Sequence, residues 1–183
     1  MMKNMIAPAF TVLLLAVAPD VFANDIFAMK GGTAINLFVR DMPRLSVDID
    51  VVYLPWQTPR DEALQAINQE LAAIATRVAP LGVQTRLVRA KDLGDTKLIV
   101  ENDASQVKIE VNVVFRGSVL PVERRPLSAK TSDLFGVEFE LPVLAPDELY
   151  ASKLVAALDR QHPRDLFDVW QLYESGDISD GMV

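Results

Sequence analysis

The sequence predicts an α+β domain in which helices flank a mixed sheet. Apolar residues recur at helical spacing near both ends of the chain, and the middle contains segments in which polar and apolar residues alternate as they do in strands. With 183 residues, 50% of them apolar, the chain can bury one core. A helix, a strand, a second helix, a run of strands and closing helices, in that order, form an α+β arrangement.

The amino-terminal segment permits two interpretations. Residues 8–18 have the apolar content of a buried helix, after which Pro19 begins a second turn and Ile26 and Phe27 continue the apolar face. The same segment resembles a secretory signal, because a lysine precedes the apolar run and Val-Phe-Ala follows it as a small-residue cleavage site. The apolar run is too short to span a bilayer as a helix.

The central elements follow from changes in periodicity. Residues 33–39 look helical after a glycine pair, whereas residues 46–54, "SVDIDVVYL", alternate in the manner of a strand. Residues 59–79 form a predicted long helix with a proline in its first turn. Three further strands are predicted at residues 83–89, 96–101 and 107–115. In the last of them the polar residues, including Glu110, share the face opposite the apolar ones.

The carboxyl-terminal part begins with an irregular segment. Prolines and charges interrupt residues 117–141 and predict a loop with short edge strands. Two helices follow, at residues 146–159 and from residue 163 through "RDLFDVWQLY". The residues of the second helix that we expect in the core are Leu166, Phe167 and Trp170.

Composition excludes several classes of function. The formal net charge of -7 and the pI near 4.7 argue against a broad basic face that coats nucleic acid, and no DNA partner is expected. The absence of cysteine excludes disulfide scaffolds, zinc-thiolate sites and a thiol nucleophile. Because His162 is the one histidine of the chain, a histidine-rich metal site is excluded too.

The most informative stretch is residues 29–50, "MKGGTAINLFVRDMPRLSVDID". Asp48 and Asp50 share one face of the predicted strand, where two like charges repel by about 4 kcal/mol at an effective dielectric constant of 20. A divalent cation would remove that repulsion, and carboxylate oxygens suit Mg²⁺ better than zinc. Gly31 and Gly32 leave backbone N–H groups unobstructed before a helix, which is typical of a phosphate site. Together these features indicate nucleotide phosphates bridged to a metal.

The same stretch resembles the first motif of the DNA polymerase β-like nucleotidyltransferases, in the form typical of the AbiEii/AbiGii toxin family. The matching residues are Gly31, Gly32, Thr33, Ala34, Arg44, Ser46, Asp48 and Asp50. The resemblance implies a polymerase β-like fold in which Asp48 and Asp50 are catalytic metal ligands. The nucleotide-binding residues that it implies in this motif are Gly31, Gly32, Thr33, Arg44 and Ser46.

Three later segments agree with this family. "KIEV" resembles the second motif, which makes Glu110 the third catalytic carboxylate and metal ligand. "ELYASKLVAALDR" resembles a helix whose catalytic lysine, here Lys153, faces the nucleotide phosphates. "RDLFDV" resembles the last motif, in which Arg164, Asp165 and Asp168 line the nucleotide pocket. Four ordered motifs make the resemblance specific.

The resemblance implies an enzyme that transfers a nucleoside monophosphate from an NTP to an acceptor hydroxyl, with Mg²⁺ in a two-metal site. Such proteins are the toxins of type IV toxin–antitoxin and abortive phage-infection systems. The tRNA 3′ end is the acceptor for some of them, and an antitoxin encoded nearby is the expected partner. Because NTP and tRNA are cytoplasmic, and relatives carry an apolar helix before the glycine pair, we interpret the amino-terminal segment as a buried helix of a cytoplasmic protein without a membrane partner.

The expected organisation is a nucleotidyltransferase core at residues 1–142 followed by helices carrying the last motifs at residues 143–183. Family members commonly continue into a larger helical domain after the last motif. We therefore expect residues 143–183 to be truncated relative to the family, so that the surface that would bind the acceptor is incomplete.

Alternatives stay open for the whole chain and for single residues. The chain could be a non-catalytic nucleotide-binding module, including an exported one, or a nucleotidyltransferase that modifies a small molecule or a protein. Lys153 could be a surface lysine near Asp147 or Glu148. Asp165 could serve only to stabilise the amino terminus of its helix.

Overall fold

The structure is a computed structural model that describes residues 3–89 and 95–182. The strands are β1 (Phe27–Lys30), β2 (Asp48–Tyr53), β3 (Gln84–Arg89), β4 (Asp95–Glu101), β5 (Gln106–Asn112), β6 (Glu123–Pro126) and β7 (Glu140–Val143). The helices are α1 (Lys3–Val21), α2 (Gly31–Ala34), α3 (Arg60–Val78), α4 (Ala129–Phe135), α5 (Pro146–Arg160) and α6 (Pro163–Ser175). α2 continues directly into a π-helical turn, Ile35–Val39.

The described strands form one mixed sheet in the order β3-β4-β5-β2-β1-β7-β6. β2 pairs with β5 and β1 pairs with β7 in parallel, and the remaining pairs are antiparallel. Parallel neighbours need crossover connections, and the long segment that contains α3 joins β2 to the outer strands before the chain returns as β5. The predicted α+β class with a mixed sheet is confirmed.

The two central strands set the two faces of the sheet. In β5 the apolar residues are buried and the intervening polar residues are half-buried, as the alternation predicts. β2 shows the same pattern over its first residues, so that Ile49 lies in the core while Asp48 and Asp50 face the other side. α1 and α3 cover the apolar face, with Leu14, Val17 and Ile67 fully buried among the core residues. The opposite face carries the polar residues of β2 and β5, Asp48, Asp50 and Glu110.

The amino-terminal segment is a helix that packs on the core. α1 runs without a break across Pro8 and Pro19, whereas we expected Pro19 to begin a second turn. In the residues that the structure describes, no helix combines the length and the apolar character that crossing a membrane requires. Phe27 does not continue the helical face as predicted, because it begins β1, where it is fully buried.

Two further expectations are wrong. The segment at residues 117–141 contains α4, which follows the side-chain cap of Ser128. Of its two described short strands, β6 lies at the edge of the sheet as expected, whereas β7 lies between β1 and β6. In α6, Leu166 is 49% exposed, Trp170 is 51% exposed and Phe167 is half-buried, so none of the three is a buried core residue. The face of α6 that turns inward carries Asp165 and Asp168 instead, together with the apolar Leu172. Lys153 of α5 and Arg44, which precedes β2, pair with these aspartates and make that orientation favourable.

Candidate active site

Three carboxylates occupy one face of two adjacent strands. Asp48 and Asp50 are alternate residues of β2, and Glu110 of β5 lies directly opposite Asp50 in the parallel register. Residues that lie opposite each other on neighbouring strands project from the same face, about 5 Å apart. The structure therefore places the three side chains predicted to hold a metal on one face of adjacent strands.

Lysines surround these carboxylates. Lys97 of β4 lies opposite Glu110, and its Nζ is 3.0 Å from Glu110 Oε1. Lys108 of β5 lies opposite Asp48, with 3.8 Å between its Nζ and Asp48 Oδ1. Both lysines were overlooked at the sequence level as parts of the site. Alternation placed Lys108 on the polar face with Glu110, but only the strand order shows which carboxylate each lysine meets.

The negative charge of the site is not fully balanced by these lysines. Burial, followed by the charges of Glu110 and Asp48, raises the pKa of Asp50 to about 6, although Lys30 and Lys153 act in the opposite direction. Hard carboxylate oxygens that repel one another are a donor set that suits Mg²⁺. Within the described ranges, however, no three His, Asp or Glu side chains already converge on one metal-binding point. The donor chemistry of these carboxylates fits a divalent cation. To bind it, Glu110 would give up its ion pair with Lys97.

The glycine pair is required by close approach of other side chains. Gly31 has φ of +75°, and a Cβ built there would lie 2.2 Å from Asp50 Oδ2. A Cβ on Gly32 would lie 2.5 Å from Arg44 Nη2. Any side chain at either position would therefore displace a charged group of the site. This is a stronger reason for the pair than the turn that the sequence alone suggested.

Two hydroxyl groups join the glycine turn to the strand that carries the aspartates. Thr33 Oγ1 and Ser46 Oγ are 2.6 Å apart, and Thr33 also donates to the backbone carbonyl of Asp48. Thr33 is fully buried, whereas Ser46 is half-buried. Both residues thus hold α2 against the start of β2, which places Gly31 beside Asp50.

The predicted helical residues form a second charged cluster. Lys153 of α5 is 8% exposed, and its Nζ lies 2.8 Å from Asp165 Oδ1 and 3.3 Å from Asp168 Oδ2. Asp168, which is 2% exposed, also accepts two hydrogen bonds from Arg44, at 2.7 Å from Nε and 2.6 Å from Nη2. This cluster links the first motif to both closing helices, α5 and α6.

The cations around Asp165 favour its ionised form. Burial alone would raise its pKa, but the hydrogen bond from Lys153 and the charges of Lys153 and Arg160 outweigh burial and lower it. Arg160 Nη2 lies 2.9 Å from Asp165 Oδ2. The interpretation of Lys153 as a surface lysine near Asp147 or Glu148 is wrong, because its partners lie on α6.

The remaining predicted residue stands apart. Arg164 is exposed, and its described hydrogen bond is a 3.2 Å contact from its backbone N–H to His162 Nδ1. His162 is the amino-terminal cap of α6. The contacts that the structure describes do not join the Arg164 side chain to the charged cluster. The motif contains Arg164 and Asp165 as neighbours in the sequence, but their side chains point in different directions. Arg164 is exposed, whereas Asp165 is buried.

One acidic residue near the site was also missed. Glu148 of α5 accepts hydrogen bonds from the backbone N–H groups of Val119, at 3.1 Å, and Leu120, at 3.0 Å. Its charge acts on Lys30 at the edge of the site. Glu148 therefore anchors the segment that follows β5 beside α5, a role that the motif "ELYASKL" does not reveal.

A comparison with solved structures supports the fold. The nucleotidyltransferase toxin MenT4 from Mycobacterium tuberculosis H37Rv is a structural neighbour, with a TM-score of 0.58 and 20% sequence identity. The match covers 98% of this chain and 65% of that one, so the chain spans about two thirds of the length of MenT4. No curated protein sequence matches the chain.

The family assignment rests on a longer sequence match. A family model described as nucleotidyl transferase AbiEii toxin, type IV TA system, matches residues 12–182. The match begins within α1 and extends past α6, so it includes both charged clusters of the site. The resemblance seen in the motifs is confirmed, and the chain belongs to the AbiEii family of type IV toxin–antitoxin nucleotidyl transferases.

Proposed function

We propose that this chain transfers a nucleoside monophosphate from an NTP to an acceptor hydroxyl. The observation that carries the proposal is the trio of carboxylates on β2 and β5, in which the pKa of Asp50 is raised to about 6 by burial and by its two acidic neighbours. An excess of negative charge in a half-buried site is unfavourable unless a ligand compensates it. A hydroxyl oxygen attacks the α-phosphorus, the bond to the β-phosphate breaks, pyrophosphate leaves, and the hydroxyl proton passes to water.

The cofactor we propose is Mg²⁺, held by Asp48, Asp50 and Glu110 as two ions. When bound, Mg²⁺ lowers the pKa of an attacking hydroxyl and offsets charge on the reacting phosphate. The chain itself supplies oxygen donors on rigid strands, and Gly31 leaves the room that the Asp50 carboxylate needs. Lys97 and Lys108 hold Glu110 and Asp48 in the absence of the cofactor.

The nucleotide phosphates are held, in this proposal, between the glycine turn and α5. The ammonium of Lys153 has three donors, of which Asp165 and Asp168 take two. The third donor remains for a phosphate oxygen. Asp165 and Asp168 are buried and engaged by cations, so we assign them to positioning Lys153 and Arg44. Gly31 and Gly32 bind phosphate through their backbone N–H groups, and Thr33 and Ser46 hold that part of the backbone in position. The exposed Arg164 contacts the nucleotide from the rim of the pocket.

The biological proposal follows the family. We propose a cytoplasmic toxin that modifies the 3′ end of tRNA and is controlled by an antitoxin encoded nearby. The net charge of -7 limits the basic surface available for RNA, which favours contact through a small region near the site. We further propose that residues 1–142 supply the carboxylate face and residues 143–183 supply the lysine that completes the pocket.

The proposed function is tested by titrating purified protein with each NTP, with and without Mg²⁺. Wild-type protein should bind at least one NTP in a metal-dependent manner, and the Asp48→Asn, Asp50→Asn double variant should lose that binding while remaining folded. Induced expression should arrest growth only for the wild type. Metal-independent binding, or equal binding by the folded double variant, would remove the active-site assignment.

A further inference from the structure

A row of four charged residues crosses the sheet at the candidate site. Lys97 on β4 is paired with Glu110 on β5, Glu110 with Asp50 on β2, and Asp50 with Lys30 on β1. Residues paired in this way project from the same face. The row therefore has a lysine at each end and two carboxylates between them, in the order β4-β5-β2-β1.

The two lysines of the row differ in their contacts. Lys97 makes a 3.0 Å ion pair with Glu110, and Lys108 and Lys153 also have carboxylate partners within 4 Å. Lys30 is half-buried, and within the described part of the chain its Nζ makes no ion pair or hydrogen bond. A half-buried ammonium without a partner is costly, because burial removes water that nothing in the protein replaces.

The surroundings of Lys30 indicate what would satisfy it. The charged groups that act on its ammonium are Asp50, Glu148, Lys153 and Arg160. Burial and the charges of Lys153 and Arg160 disfavour its charged form, whereas Asp50 and Glu148 favour it without making an ion pair among the described contacts. Lys30 also directly precedes Gly31, so its stem starts at the turn over which the Asp50 carboxylate lies. A ligand that reaches both Lys153 and the carboxylate row would pass its ammonium.

We propose that Lys30 is a substrate-binding residue whose ammonium contacts a phosphate oxygen of the NTP beside Asp50. Lys30 and Lys153 would then hold the triphosphate from two elements, β1 and α5. This inference rests on the proposed function, since it assigns a further residue to the same site. The acidic residues of the site prevent phosphate from binding on its own, so Lys30 acts when the metal is also bound.

The test compares NTP binding and metal binding in the same variants. Lys30→Met keeps the length of the side chain and suits a half-buried position, Lys30→Arg restores the charge, and Lys130→Met on exposed α4 is the matched control. Calorimetric titrations measure the affinity for NTP with Mn²⁺ and for Mn²⁺ alone. Thermal unfolding verifies that each variant is folded.

We expect Lys30→Met to weaken NTP binding on the order of 10- to 100-fold, the range for loss of a hydrogen bond to a charged group. Mn²⁺ affinity should stay equal or increase, because a like charge has been removed. Lys30→Arg should recover part of the NTP affinity, and Lys130→Met should match the wild type.

Three results would overturn the inference. Unchanged NTP affinity in Lys30→Met would exclude a phosphate contact. A parallel loss of NTP and Mn²⁺ affinity would mean that Lys30 acts by positioning Asp50. A wild-type protein that binds Mn²⁺ but no NTP would refute both the proposed function and this inference. In the other two results the wild type still binds NTP, so the two kinds of failure are distinguishable.

Discussion

Arg44 and Asp168 lie 124 positions apart and form a two-pronged ion pair, with Nε to Oδ1 at 2.7 Å and Nη2 to Oδ2 at 2.6 Å. The pair ties the segment before β2 to α6. The guanidinium of Arg44 also lies over position 32, where only a glycine leaves room for it. A single interaction therefore couples the glycine turn, the aspartate strand and the closing helices.

Loss of this pair should destabilise the protein. We expect Arg44→Ala to lower the free energy of unfolding by about 3 kcal/mol, since it leaves the buried Asp168 charge without its main partner. Urea unfolding measures the effect. The control is Arg124→Ala, which breaks the exposed pair with Glu140 and should cost no more than about 1 kcal/mol. Equal losses in the two variants would contradict this account of the cluster.

The glycine turn gives a second prediction. Gly31→Ala and Gly82→Ala both place a Cβ at positive φ, +75° and +72°, and each should lose about 1–2 kcal/mol from backbone strain. The Cβ at Gly31 meets the Asp50 carboxylate, whereas no atom of the described residues lies within 4 Å of a Cβ at Gly82. Gly31→Ala should therefore also lose metal-dependent NTP binding in calorimetry, whereas Gly82→Ala should keep it. Retained binding in Gly31→Ala would argue against the close approach.

The carboxylate site should be a source of instability in metal-free protein. Because burial, Glu110 and Asp48 raise the pKa of Asp50 above its usual value, its ionised form disfavours folding at pH 7. We expect Asp50→Asn, measured with EDTA present, to increase the free energy of unfolding by about 1–3 kcal/mol. The same variant should lose NTP binding. A less stable variant would show that Lys30 and Lys153 already compensate the Asp50 charge.

Asp165 should contribute stability with the opposite dependence on pH. Its pKa is lowered in the folded protein, so the stabilisation is complete above the unfolded value near 3.9 and is lost as pH falls through the lower folded value. We expect Asp165→Asn to cost about 2 kcal/mol at pH 7. In urea unfolding, that difference should persist to about pH 4 and shrink at pH 3. Asp133→Asn on exposed α4 should stay within about 0.5 kcal/mol of the wild type. A constant difference down to pH 3 would contradict the ion pair with Lys153.

Local patterns were sufficient to predict much of the fold. The alternation in "VKIEVNVV" placed Glu110 on the polar face, and "SVDID" placed both aspartates on one face. The long helix α3 also lies within one residue of its predicted bounds. β1 could not be found in this way, because four residues entering a glycine turn are too few to show a period. α4 was missed for a similar reason, although Ser128 is a helix-capping residue.

The pairing of charges required the tertiary structure. Arg44 with Asp168 and Lys97 with Glu110 are partners because of strand order and helix packing, which local sequence does not contain. The inward face of α6 illustrates the same limit. Apolar periodicity favoured Leu166 and Trp170, but Lys153 and Arg44 draw Asp165 and Asp168 inward, and the apolar residues are left outside. Pair interactions between buried charges overrode the hydrophobic pattern at this helix.

The most direct test of the central claim uses NTP labelled with ³²P at either the α or the γ position. Purified protein and Mg²⁺ are incubated with the labelled NTP and with total RNA, total protein or a small-molecule fraction. The label in each fraction is measured after separation. Nucleotidyl transfer predicts that α-label enters one acceptor fraction and γ-label leaves only as pyrophosphate, with both results absent in the Asp48→Asn, Asp50→Asn variant. Transfer of γ-label to an acceptor, or no incorporation of α-label from any NTP, would contradict the claim.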